Sequence, residues 1–401
     1  MKRLSVLIVS FLFFSLQPAS AAEVLPQPFF NYIGSKYLAD PGVILIDQSN
    51  NEIVYQSGAQ KPRTPASVLK IFTTAAIALT IDPETTFQTA IYKTDKRGVF
   101  VIWGDNDPWI TSSAKAKKAN KRAYMPNLIK AAFASDKKLK KITLIYKASD
   151  KKLKKITLIY KGVNNSDIRY AKKALNRRAS VAYKRIGKNV EVESLITERI
   201  AAITSPPLHK MIRFALLYSD NVLSQRLAML ATGRSGYPLT EEGMNSMIFE
   251  KISSLGIDTT GMNFIDGSGL SRKNKVSALT VSQLLLKVKT DPRLKSIYEH
   301  LPISGESGTL ISRYHETAPQ AVGLVRAKTG SIRGVVSLAG FATSGEKEYV
   351  FVVLADEVGR TRSSQNSARK AIDRMLGTIT KPPVIGITPP APESTPFTTT
   401  Q

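Results

Sequence analysis

Residues 42–58 alternate between apolar and polar character, GVILIDQSN and then NEIVYQSG, which predicts two strands turning at Asn50-Asn51. The period then changes. Thr64–Leu79 (TPASVLKIFTTAAIAL) reads as a helix, with Thr64 placed to cap it, Pro65 at the first helical position and Pro83 beyond its end. From about Pro206 the pattern is helical again, in LHKMIRFALLYSDNVLSQRLAMLA. An irregular stretch, DGSGLSRKNKVS (Asp266–Ser277), leads into the helix TVSQLLLKV. Three strand-like runs follow, GLVRAKTGS, VVSLAGFAT and EYVFVVLAD, and SARKAIDRMLGTI reads as a closing helix. Strands near both ends with helices between them predict an α+β fold: an antiparallel sheet flanked by terminal helices and packed on a helical subdomain.

Residues 87–205 break this order and read as an inserted module. Strand-like pieces (VFVIWG, KITLIYK) stand among Ala- and Lys-rich helical stretches. ASDKKLKKITLIYK occupies Ala134–Lys147 and recurs without change at Ala148–Lys161. Two copies are too few for a solenoid, and identity without drift marks a recent duplication or an assembly error. The predicted division is therefore a discontinuous domain, 22–86 with 206–380, interrupted by 87–205. Residues 381–401, rich in Pro and Thr, read as a flexible tail.

Charge sharpens the contrast. The chain's net charge is +26, yet residues 111–190 alone hold 24 Lys and Arg against 3 Asp. Such a patch predicts an anionic envelope polymer or lipid as partner, or a solvated surface with none. Nucleic acid is not expected, because the N-terminus reads as an export signal: Lys2 and Arg3, an apolar run Leu4–Leu16, then Ala19-Ser20-Ala21 at residues 1–21. That places the protein in the periplasm or another extracytoplasmic part of the envelope. The 401 residues contain no cysteine, which excludes disulfides, thiol nucleophiles and thiolate metal sites.

The candidate chemistry begins at Ser67-Val-Leu-Lys70. Ser-x-x-Lys occurs six times in the chain, so its spacing alone decides nothing. Downstream, Ser219-Asp220-Asn221 falls between two helical runs, and Lys328-Thr329-Gly330 falls on a strand. Singly these are an ordinary helix start, a turn and a strand end. In this order, each on its expected element, they form the trio of serine β-lactamases and penicillin-binding proteins. A serine hydroxyl needs an adjacent base, and Lys70 lies on the same helical face as Ser67. Lysine serves as base only with a lowered pKa, which burial and nearby positive charge supply. Ser219 can pass a proton to a leaving amine, Asn221 can bond substrate amides, Lys328 can pair with a terminal carboxylate, and Gly330 permits a close backbone approach. No cofactor or metal is expected. None of His209, His300 and His315 sits in a zinc-protease motif.

With DGSGLSRKNKVS, LPISGESGTLISR and VRAKTGSIRGVVSLAGF added to the trio, the chain resembles the D-Ala-D-Ala carboxypeptidase/endopeptidase family, the class C low-molecular-mass penicillin-binding proteins. The resemblance implies a β-lactamase/transpeptidase-like fold with an extra domain between the first two motifs. It also implies peptidoglycan stem peptides as substrate, β-lactams as covalent inhibitors, and an oxyanion hole made by the N–H groups of Ser67 and Ser331. WGDNDPW loosely resembles that family's Gly-Asp-Pro turn, and Asp105 and Asp107 are expected to shape a turn.

Two other functions share some of these features. A serine β-lactamase has the same trio, and Glu241-Glu242-Gly243-Met244-Asn245 faintly echoes a deacylating Glu-x-x-Leu-Asn motif in a turn-like stretch. A non-catalytic wall-binding protein would use only the basic insert.

Overall fold

The computed structural model describes residues 25–120, 122–135, 155–174, 180–185 and 191–382. The export signal and the tail beyond residue 382 lie outside them. Helix α1 (Gln27–Ile33) precedes the expected hairpin, β1 (Gly42–Asp47) and β2 (Glu52–Ser57), and α2 spans Lys70–Ala78. Then come β3 (Gln88–Lys93), β4 (Val99–Gly104), α3 (Ala114–Asn120), α4 (Met125–Ser135), β5 (Lys155–Lys161), α5 (Asn165–Ala174), β6 (Ser180–Arg185) and β7 (Glu198–Thr204). Helices α6 (Leu208–Leu217), α7 (Asn221–Arg234), α8 (Glu241–Ser253), α9 (Ala278–Thr290) and α10 (Lys295–His300) follow. Strands β8 (Val325–Ile332), β9 (Val335–Ser344) and β10 (Lys347–Ala355) and helix α11 (Arg362–Gly377) complete the order.

The chain's two ends meet in one antiparallel sheet of order β2-β1-β10-β9-β8. Its central strands are covered on both faces. Val43 and Leu45 face a core shared with Phe29 of α1 and Ile372 of α11, while Ile44 and Ile46 face the core of the helical subdomain. This double cover explains why every residue of β1 is buried, although its partner β2 at the sheet edge is largely exposed. In the helical core Phe72 meets Phe264 edge-on at 5.2 Å. Each fully buried side chain of this size contributes roughly 1.5–3 kcal/mol.

A second five-stranded sheet, of order β6-β5-β4-β3-β7, is built from residues 88–204. Strands β4, β5 and β6 run parallel, so each pair needs a crossover, and α4 and α5 lie in those connections. Buried charge ties this unit to α7. Arg226 pairs with Asp167 at 2.6 Å and donates to the Ile110 carbonyl at 2.5 Å. Arg122 lies over Trp109 and donates to its carbonyl at 2.8 Å. Asp107 accepts from Trp109 N–H, two residues on, the turn role expected of it, whereas Asp105 accepts from Gln88 N–H, 17 residues away at the start of β3. Burial pushes the Asp107 carboxyl up to about 6.

The helix expected at Thr64–Leu79 starts later and differently. Ala66–Leu69 is a 3-10 turn, and the α-helix begins only at Lys70. Thr64 does not cap it. Its hydroxyl donates to the Arg272 carbonyl and its N–H to Asp356 at 2.9 Å, so tertiary partners outcompete the cap. The Glu241–Asn245 stretch is not a turn either. It opens α8, with Thr240 as cap.

Strand β5 comes from the second copy of the duplication. The residue after it explains the choice. Gly162 has φ +64°, and a Cβ there would lie 1.5 Å from the Gly104 carbonyl oxygen. The first copy is followed by Ala148, which cannot take that place. The first copy beyond Ser135 lies outside the described residues. Deleting Ala148–Lys161 restores Gly162 directly after an identical strand and shortens the α4–β5 connection from residues 136–154 to residues 136–140. Five residues is a common length for such a connection. The deletion variant is expected to melt no lower than the parent and to be acylated by penicillin at the same rate. Loss of soluble expression would show that both copies are structural.

Candidate active site

The nucleophile candidate sits on a strained turn held from two sides. Asp356, just past β10, accepts from the Thr64 N–H and pairs with the buried Arg63 at 3.1 Å. Ala66 takes φ +47°, a left-handed conformation that costs a non-glycine residue of order 1–3 kcal/mol. The turn reverses at Ala66 and leaves Ser67 partly exposed between buried neighbours. On the other side, Gly330 of β8 lies against it. A Cβ on Gly330 would stand 2.6 Å from the Pro65 carbonyl oxygen. The close approach that glycine permits here is thus of the Ser67 turn itself.

Lys70 is fully buried and holds the first two motifs together. Its Nζ donates to Ser67 Oγ at 2.9 Å, to Asn221 Oδ1 at 2.7 Å and to the Ser268 carbonyl. Burial lowers its pKa to about 8, against the opposing pull of Asp266 and Asp220. Neither carboxylate is free to approach. Asp220 caps α7 by accepting from Leu223 N–H at 2.7 Å. Asp266 accepts from the N–H groups of Ser268, Gly269 and Ser271 and so folds the DGSGLSR loop that turns the Ser268 carbonyl toward Lys70.

Lys328, also fully buried, joins the third motif to the second. Its Nζ donates to Ser219 Oγ and to the Thr329 carbonyl, both at 2.9 Å. Burial and then the charge of Lys70 push its pKa well down. Ser219 has φ +55°, a second strained non-glycine residue at the same place. Thr329 Oγ1 donates to Thr309 Oγ1 at 2.8 Å, and Ser331 Oγ accepts from Arg369 at 2.8 Å. The eight residues singled out in the sequence thus lie on one seam between β8 and the helical subdomain. The sequence did not single out Ser268, Asp266 or Arg369. The first two were visible only as parts of DGSGLSR, and nothing in the pattern marked the third. Glu241 and Glu242 of α8 stand apart: both are exposed, and Asn245 is engaged with Phe264 N–H at 2.8 Å.

The sequence model described as D-Ala-D-Ala carboxypeptidase 3 (S13) family matches residues 36–131 and 167–379. The chain belongs to that family. It is a serine-type D-Ala-D-Ala carboxypeptidase of the penicillin-binding kind. The unmatched stretch, 132–166, contains both copies of the duplication. Carboxypeptidase DacB of Mycolicibacterium smegmatis is 28% identical over 379 residues, which cover 85% of this chain and 82% of that protein. The D-alanyl-D-alanine carboxypeptidase of an Actinomadura species is 35% identical over 163 residues, 39% of this chain and 30% of that one. Among solved structures, penicillin-binding protein 4 (dacB) of Haemophilus influenzae, complexed with a β-lactam, superposes with a TM-score of 0.63 at 18% identity. It covers 87% of this chain and 96% of its own. That likeness gives the S13 enzyme its α+β architecture.

Proposed function

We propose that this S13 carboxypeptidase works through an acyl-enzyme on Ser67, with Lys70 as its base. The contact of Lys70 Nζ with Ser67 Oγ at 2.9 Å, on a lysine lowered to about 8, carries the reading. Ser67 Oγ attacks the carbonyl carbon of the penultimate D-Ala as Lys70 takes the hydroxyl proton. The N–H groups of Ser67 and Ser331 receive the oxyanion, as the family resemblance implies. The tetrahedral intermediate collapses, and the C–N bond breaks. Ser219, held by Lys328, relays the proton taken by Lys70 to the departing D-Ala amine. Water then cleaves the ester and restores Ser67. Asn221 holds Lys70 through its carbonyl and keeps its amide for the substrate. When the amine belongs to a cross-linked stem peptide, the same steps make the enzyme an endopeptidase. Release of D-Ala from a peptide ending in D-Ala-D-Ala tests the reading, and a well-folded protein that releases none would overturn it.

This substrate belongs to the cell wall, so the enzyme acts outside the cytoplasm, with residues 1–21 as its export signal. The catalytic domain is 22–86 with 206–380, and 87–205 is an inserted module. The charge of residues 111–190 supports binding of this module to an anionic envelope polymer or lipid. Binding to purified cell wall or anionic liposomes should then weaken steeply with salt, since screening shortens to roughly 3 Å at 1 M. Binding indifferent to salt would leave the module a solvated surface.

A further inference from the structure

We propose that Arg226, on α7, is a positioning residue through which the inserted module holds the Ser219 turn in place to deliver a proton to the leaving amine. The proposal rests on the acyl-enzyme reading above. Ser219 stands between α6 and α7 in a left-handed conformation, φ +55°, and its Oγ meets Lys328 Nζ at 2.9 Å. A non-glycine residue keeps such a conformation only where its surroundings over-determine it. The turn itself is open to solvent: Tyr218 is exposed, and Ser219, Asp220 and Asn221 are partly exposed. Its support therefore comes from the flanks of the two helices it joins.

Residues 108–112 of the insert grip both flanks. On α6, Trp109 meets Phe214 edge-on at 5.1 Å, and Phe214 in turn lies 4.8 Å from Tyr218, the residue before Ser219. On α7, Arg226 sits in the second turn of the helix that Asn221 opens. Its Nη1 donates to the Ile110 carbonyl at 2.5 Å, and its Nη2 pairs at 2.6 Å with Asp167, a buried carboxylate of α5. The other oxygen of Asp167 accepts from Ser112 N–H at 3.0 Å, so one carboxylate fixes both the guanidinium and the segment that holds it. Arg122 donates to the Pro108 and Trp109 carbonyls and braces the segment from within the insert. A guanidinium holds its partners in a rigid fork, which suits it to setting a position. A proton relay depends on that position, since a displacement of about 1 Å caused far from the chemistry can cost 10²-fold in rate.

The test compares two substrates with the same acyl part: a peptide ending in D-Ala-D-Ala, and the matching thioester in which a thiol replaces the terminal amine. Cleaving the amide breaks a C–N bond, and its amine must take the relayed proton. In the thioester the C–S bond breaks and the sulfur leaves as thiolate, which needs none. In Arg226→Ala the amide-to-thioester ratio of kcat/KM should fall roughly tenfold to a hundredfold. Arg226→Lys, which keeps the charge without the fork, should lie between. Both substrates are read on one preparation, so the ratio does not depend on the fraction folded. Should Arg226→Ala yield no folded protein, the double variant Arg226→Met with Asp167→Asn removes the buried charge on both sides of the pair and should show the same fall. A merely structural role would slow both substrates alike and leave the ratio intact, and that result would overturn the proposal. A parent that cleaves neither substrate would overturn the acyl-enzyme reading first, and this proposal with it.

Discussion

Lys70→Ala is expected to slow acylation of Ser67 by on the order of 10² to 10⁴, the usual contribution of a positioned general base. The variant keeps Ser67 but leaves its hydroxyl at its own pKa, where it is a poor nucleophile. A pH profile separates lost chemistry from lost structure. In the parent, Lys70 acts as base only when neutral, and its pKa is about 8. Below that value the neutral fraction falls tenfold per pH unit. The acylation rate should therefore climb with pH and level off above about 8. In Lys70→Ala this rise should vanish. A variant that is slow but keeps the rise would assign the base to another group, and Lys328 would be the first to examine, because burial also disfavours its charge.

The sheet, the terminal helices and the helical subdomain were legible because each follows from periodicity and chain order. The three motifs of the proposed site were legible because they occurred in sequence on a helix start, an interhelical turn and a strand. What escaped was set by distant contacts. Thr64 has the right chemistry for a cap, but its hydroxyl is engaged by the Arg272 carbonyl, 208 residues away. Ala66 and Ser219 carry no local signal for a left-handed backbone, which tertiary packing imposes on both. Lys328 read as a partner for a terminal carboxylate, yet on β8, which packs against the Ala66–Leu69 turn, it is fully buried. Burial and neighbouring positive charge were both expected to lower Lys70; burial does so, and the charges that act on it, the carboxylates of Asp266 and Asp220, oppose it. Arg369 lay in a Ser-x-x-Lys-bearing helix with nothing to distinguish it.

The β-lactamase alternative needs a glutamate to activate water at the acyl ester. Glu241 and Glu242 are exposed at the start of α8, and the hydrogen bonds described for Ser67, Lys70, Ser219 and Lys328 involve no glutamate. A penicilloyl ester is then expected to persist, because its ring fragment stays tethered where water must approach. A peptide loses its D-Ala, and the site opens to water.

Ser67→Ala should accordingly abolish both D-Ala release and covalent labelling, since no other hydroxyl is bonded to Lys70 Nζ among the described residues. The most direct measurement is intact-protein mass spectrometry after incubation with penicillin, followed by peptide mapping. The parent should carry one penicilloyl group on the peptide containing Ser67, stable for far longer than a turnover, and Ser67→Ala should carry none. An adduct on any other residue, or labelling that survives in Ser67→Ala, would contradict the account.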